Sequence, residues 1–103
     1  MAFNGTEGKK ISLKDGGKWT SNYRKSKSEG DPNGHTFGKD ILNNILNQEG
    51  CVGIRMYYGI DDDGEKILIL AGVKANEDDI TDLIVDKSVS CPSRCGTKNG
   101  LNS

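Results

Sequence analysis

The apolar positions of this chain repeat with periods that change along its length, and each period predicts an element. Leu13, Thr20 and Tyr23 recur at helical spacing and Trp19 stands one turn before Tyr23, which predicts a helix over about residues 12–26. Ser12 with Asp15 three residues later suits an N-cap, and Arg24, Lys25 and Lys27 suit the negative end of the helix dipole. Gly16 and Gly17 oppose that helix by roughly 1 kcal/mol each relative to alanine. Its stability is therefore expected to come from docking on a core through Trp19 and Tyr23 rather than from propensity.

A second helix is predicted in "GKDILNNILNQEG", where Ile41, Leu42, Ile45 and Leu46 form one stripe, Asp40 lies in the first turn and Gly50 is placed to terminate. The period then becomes two. Val52, Ile54, Met56, Tyr58 and Ile60 alternate onto one face, with Cys51, Gly53, Arg55, Tyr57 and Gly59 on the other. "DDDGEK" supplies an Asp-Gly turn, and "ILILAGV" returns as a continuously apolar strand with cover on both faces. In "ITDLIVDKSVS", Ile80, Leu83, Ile84 and Val85 fit a helical turn and a short strand equally well, so residues 80–89 stay open.

The connecting segments are polar. The first ten residues are expected to be disordered, "SEGDPNGHTF" a loop, and the tail from about residue 90 irregular. With no internal repeat and no boundary signal, residues 11–103 read as a single α+β domain: two helices packed on a small antiparallel sheet centred on a β-hairpin, 51–60 and 66–74. The expected core is Trp19, Ile41, Leu42, Ile45, Leu46, Val52, Ile54, Met56, Ile67, Ile69 and Val73, with Leu68 and Leu70 replacing Ile67 and Ile69 if the second strand takes the other parity.

Composition sharpens this picture in one respect. Leu, Ile, Val and Phe make up only 22 of the 103 residues, and 16 of them lie between Ile41 and Val85, so the central segment must hold most of the core. Charge is close to balanced, at −1 overall, which argues against a nucleic-acid or membrane partner. It is unevenly spread: residues 1–30 carry seven basic and three acidic groups, and residues 61–90 three basic and nine acidic. Two blocks of that kind serve either as a basic face for an acidic partner or as complementary, solvated ends; the second is the simpler reading. No apolar run is long enough to span a bilayer and the N-terminus lacks a hydrophobic leader. The expected compartment is cytoplasmic, with export implied only if a signal segment has been removed.

The candidate chemistry is sparse. Cys91 and Cys95, in "SCPSRCG", admit four readings. A zinc site needs two more ligands, for which Cys51 and His35 remain, each standing alone in the sequence. Redox catalysis prefers two intervening residues at a helix N-terminus, and here there are three in a tail. A disulfide closes a short loop and needs an oxidising compartment. Free thiols in a tail packed on the sheet require least, and the odd total of three cysteines agrees with them. "GIDDDGE" fails the calcium-loop pattern, because Gly59 and Leu70 fall where acids are needed. No phosphate loop, dinucleotide fingerprint or nucleophile elbow is present in the sequence.

The order helix, "GCVGIRMYYG", Asp-Gly hairpin, "CPSRCG" and terminal "NGLNS" resembles a family of small uncharacterised bacterial proteins over about residues 11–103. The resemblance implies the same α+β arrangement and matches the family's paired tail cysteines to Cys91 and Cys95; it brings no activity or catalytic residue with it. The functional expectation is a non-enzymatic binding or accessory module that meets a protein partner through Arg55 and Tyr57 on the outer sheet face, or through a strand edge. The alternative is a small zinc-binding protein using Cys91, Cys95, Cys51 and His35.

Overall fold

The computed structural model describes Ala2 to Asn102. The fold is α+β, with two helices and two small antiparallel sheets. In chain order the elements are α1 (Leu13–Ser26), β1 (Gly34–Thr36), α2 (Lys39–Leu46), β2 (Cys51–Ile60), β3 (Lys66–Lys74), β4 (Asp79–Val85) and β5 (Val89–Cys91). They fall into two compact units, one formed by the N-terminal residues up to Gly8 with Phe37–Ser88, the other by Lys9–Thr36 with the chain from Val89 onward.

The first unit is built on the predicted hairpin. Strands β2 and β3 pair in register Arg55 with Ala71 and Tyr57 with Ile69, and a bulge between Cys51 and Gly53 ends the regular ladder. The turn follows its sequence signal. Asp61 accepts the Gly64 N–H on its carbonyl and the Asp63 and Glu65 N–H groups on its side chain, and Gly64 takes φ +84°, which a residue without Cβ adopts at no steric cost. Residues 79–85, open between helix and strand in the sequence, form β4, paired to β3 as Leu70 with Val85 and Ala71 with Ile84. β3 is therefore the central strand of the order β2-β3-β4, and its unbroken apolar run is explained: Leu70, Ala71, Gly72 and Val73 are all buried.

Ile45 of α2, Leu70 and Val85 form the heart of the core, with Ile41, Leu42, Ile54, Leu68 and Leu83 packed around them. The parity of β3 that faces α2 is thus Leu68 and Leu70, the reserve choice, with Ile67 and Ile69 half-buried on the opposite face. Three expected core residues are corrected. Trp19 is 54% exposed and belongs to the other unit; Leu46, on the last turn of α2, is exposed; and Met56 is 55% exposed. The Met56 outcome has a length argument behind it. The eight residues of α2 span about 12 Å, whereas the ten of β2 run about 33 Å. One short helix covers only part of the hairpin.

The second unit contains α1, a ribbon of β1 and β5, and the C-terminal tail. Ser12 caps α1 as its sequence position suggests, its hydroxyl accepting the Asp15 N–H at 3.0 Å. The region expected to be loop contains β1, and the tail expected to be irregular contains β5; they pair antiparallel, His35 opposite Ser90 and Gly34 opposite Cys91. Three residues on each strand are too few to show a period in the sequence, and the pairing is closed by a contact far away along the chain. The tail then packs back on α1 across Gly16, Gly17 and Leu13, and Arg24 donates to the Leu101 carbonyl at 2.7 Å.

Candidate functional site

Arg55 and Tyr57 occupy the face of β2 that the two-residue period assigns them, and the fold supplies a partner for both. Arg55 Nη1 donates to Asp79 Oδ1 at 2.7 Å and to the Glu77 carbonyl at 3.2 Å, while the Tyr57 hydroxyl donates to Asp79 Oδ2. Asp79 opens β4, which reaches this position because β3 brings Val73 opposite Asp79. The Phe3 ring lies 5.6 Å from the guanidinium carbon, a cation–π distance. Tyr57 foremost, with Asp79 behind it and desolvation acting against them, holds the Arg55 guanidinium above its ordinary pKa, so it stays charged. The three side chains thus form one network, an ion pair and a hydrogen bond converging on the Asp79 carboxylate.

Beside it is a cleft of about 300 Å³, lined by Phe3, Gly5 and Glu7 of the N-terminal segment and by residues 52–55 and Val73 of the hairpin. Successive side chains of a strand leave opposite faces. Four consecutive residues therefore share one cleft where the backbone edge itself forms a wall. The N-terminal segment is tied down by the Phe3 N–H on the Ala75 carbonyl at 2.9 Å. Glu7 accepts the Asn4 and Gly5 N–H groups, the Asn4 bond foremost in holding its carboxyl below the usual value.

The opposite face of β2 is open at its far end. Tyr58 is 94% exposed and Ile60 67%, in line with Met56 on the face that α2 covers farther along. Alternation puts Tyr58 and Ile60 on the same face as Met56, which alone of the three was expected in the core, and it does not show that this end of the face is uncovered. β2 also has an unpaired edge, since its sole neighbour among the described strands is β3.

The cysteines resolve differently from the default expectation. Cys91 and Cys95 are joined in a disulfide with Cα atoms 4.8 Å apart, so the free-thiol reading is corrected. The separation suits a disulfide, and the Arg94 N–H, donating to the Ser90 carbonyl at 3.2 Å, folds the short loop back on the end of β5. His35 lies one register step from Cys91 on this ribbon. Cys51 is in the other unit, half-buried at the start of β2, its thiol donating to the Gly53 carbonyl at 3.2 Å. In the oxidised chain the two tail sulfurs are bonded to each other and are not thiolate ligands. Among the described residues no group of three or more His, Cys, Asp or Glu side chains is arranged to hold a metal ion.

No described helix is long and apolar enough to cross a membrane. Compared with known proteins, the chain matches no family model, no curated protein and no solved structure.

Proposed function

We propose that the chain is a non-enzymatic binding module that takes an extended segment of a partner protein as an added strand along β2. The observation that carries this reading is the condition of the β2 edge. Natural sheets blunt their edges with lysine, proline, short strands or bulges, because an unpaired row of N–H and C=O groups recruits other strands. β2 runs for ten residues without lysine or proline, and its one charge, Arg55, is neutralised by Asp79. Both edge strands have one register shift against β3: that of β2 is confined to its start, between Cys51 and Gly53, whereas that of β4, which also carries Asp79 and Asp82 over seven residues, falls mid-strand.

Met56, Tyr58 and Ile60 supply apolar anchors for alternate side chains of the incoming strand, and the cleft beside Phe3 and Arg55 accepts its end. The preferred ligand is an extended segment with apolar residues at alternate positions. Arg55 and Tyr57 stiffen the strand from the other face through Asp79.

The test is a peptide selection against the folded protein, followed by NMR mapping of the winners. Alternating apolar peptides are expected to perturb amides 52–60 and to lose affinity at least tenfold against Tyr58→Lys with Ile60→Lys. Winners that map elsewhere, or that bind the double variant equally well, refute the reading. The disulfide also favours an oxidising compartment over the cytoplasm, since cytosolic thiols are kept reduced. Thiol titration of protein isolated under alkylating conditions checks this: one reactive cysteine, Cys51, is expected, and three would overturn it.

A further inference from the structure

The overall charge of −1 hides a division between the two units. The unit of Lys9–Thr36 and the chain from Val89 onward carries nine basic and three acidic side chains, net +6; the unit that contains β2 carries five and twelve, net −7. The β2 edge therefore belongs to a strongly acidic unit, and the placement of the carboxylates along it bears on what an incoming segment must carry.

The edge has two ends, and acids mark each of them. At the start of β2 the N-terminal segment closes it: a Cβ on Gly5 would lie 3.3 Å from the Val52 carbonyl oxygen, so the backbone of that segment stands against the strand there. Glu7 follows two residues on and lines the same cleft as residues 52–55. The cleft also holds Arg55, but Asp79 answers that charge at 2.7 Å, which leaves Glu7 as the charge the cleft presents. The Asn4 and Gly5 N–H groups, one on each carboxylate oxygen, hold Glu7 in place. At the other end Ile60 leads directly into the turn, where residues 61–66 hold four carboxylates and one lysine. Asp61 is committed to the turn amides, whereas Asp62 and Asp63 are exposed. Between these two stops the run 53–60 measures about 27 Å.

We propose that the segment recruited by β2 is basic at both ends: about eight residues with apolar side chains at alternate positions, flanked by one lysine or arginine that meets Glu7 and another that meets Asp62 and Asp63. The proposal rests on the reading of the β2 edge and adds to it the charge of the partner. Met56, Tyr58 and Ile60 attract any apolar strand. Carboxylates at both stops favour a cationic one, speed its encounter and turn away an acidic one. Because the two stops carry the same sign, the preference holds whether the segment runs parallel or antiparallel to β2.

The test uses three peptides with one alternating apolar core and both termini blocked, ending on each side in Lys, Gln or Glu. Each is titrated into the folded protein and followed by NMR at amides 53–60. The expected order of affinity is Lys, then Gln, then Glu. An exposed ion pair is worth about threefold, so the Lys peptide should bind about tenfold tighter than the Gln peptide at low salt. That advantage should shrink at about 1 M salt, where the screening length is about 3 Å. Glu7→Gln with Asp62→Asn and Asp63→Asn is expected to bring the Lys peptide down to the Gln peptide and to leave the Gln peptide as it was. Asp62→Asn with Asp63→Asn alone, at exposed turn positions, should cost the Lys peptide about threefold, and it reads the second stop even if Glu7→Gln loosens the N-terminal segment. Equal binding of the three peptides at amides 53–60, or tighter binding of the Glu peptide, overturns the inference and leaves the edge reading standing. A lysine preference that survives the triple variant does the same. If no peptide reaches those amides, both fall.

Discussion

Two adjacent glycines of α1 should respond to the same substitution with opposite signs. Helix propensity treats Gly16 and Gly17 alike: alanine at either stabilises an α-helix by about 1 kcal/mol. The tertiary structure separates them. A Cβ at Gly16 meets Leu101 Cδ2 at 3.2 Å, the end of a side chain that can move by a few tenths of an ångström. A Cβ at Gly17 falls well inside 3.0 Å of the Gly100 carbonyl oxygen, which is backbone. To admit it the tail must lift from the helix. That sacrifices the Arg24 bond to the Leu101 carbonyl, about 1 kcal/mol for an exposed charge-assisted contact. It also sacrifices the half-burial of Leu101, about 1 kcal/mol more. The losses exceed the propensity gain, so Gly17→Ala should destabilise by about 1 kcal/mol while Gly16→Ala is neutral to mildly stabilising. Urea unfolding measures the difference, and carboxypeptidase digestion of the native protein should release C-terminal residues faster from Gly17→Ala. Equal stabilisation by the two alanines would mean that the tail does not dock on this face.

Other outcomes follow from named contacts. Asp79→Ala removes the partner of both Arg55 and Tyr57, and should lower stability by about 1–2 kcal/mol in chemical denaturation, with Tyr57→Phe costing about half as much. Cys91→Ser with Cys95→Ser opens a five-residue loop worth about 2 kcal/mol of chain entropy; amide exchange at Asn33 and Arg94, whose N–H groups bond the Cys91 and Ser90 carbonyls, should accelerate while amides of β3 are unaffected. Lys87 holds φ +68°, and Lys87→Gly should raise stability by about 0.5–1 kcal/mol in a thermal melt. Glu7 has a folded pKa below its ordinary 4.5, so its contribution is complete above that value and is lost as pH falls through the folded one; an NMR titration should show the Glu7 carboxyl and the Asn4 and Gly5 amides moving together below pH 4.5.

Local chemistry determined much of this protein from the sequence alone. The change of period at Cys51, the Asp-Gly turn and the Ser12 cap each act over a few residues, so α1, α2, β2 and β3 were legible with their bounds nearly as observed. The position of Arg55 and Tyr57 on one strand face was legible for the same reason. What the tertiary structure decided are matters of distance along the chain. β1 and β5 exist because residues more than fifty positions apart pair, and no three-residue strand announces itself. Gly16 and Gly17 weaken a helix in isolation and admit a tail in the fold. Met56 and Tyr58 alternate as core residues do, but alternation specifies a face and says nothing of whether an eight-residue helix reaches far enough to cover it. Asp79, which completes the Arg55 network, lies twenty-four residues away on a strand whose pairing only the sheet establishes. Period and turn chemistry are written locally; burial, partners and the division of charge between units are sums over the whole chain.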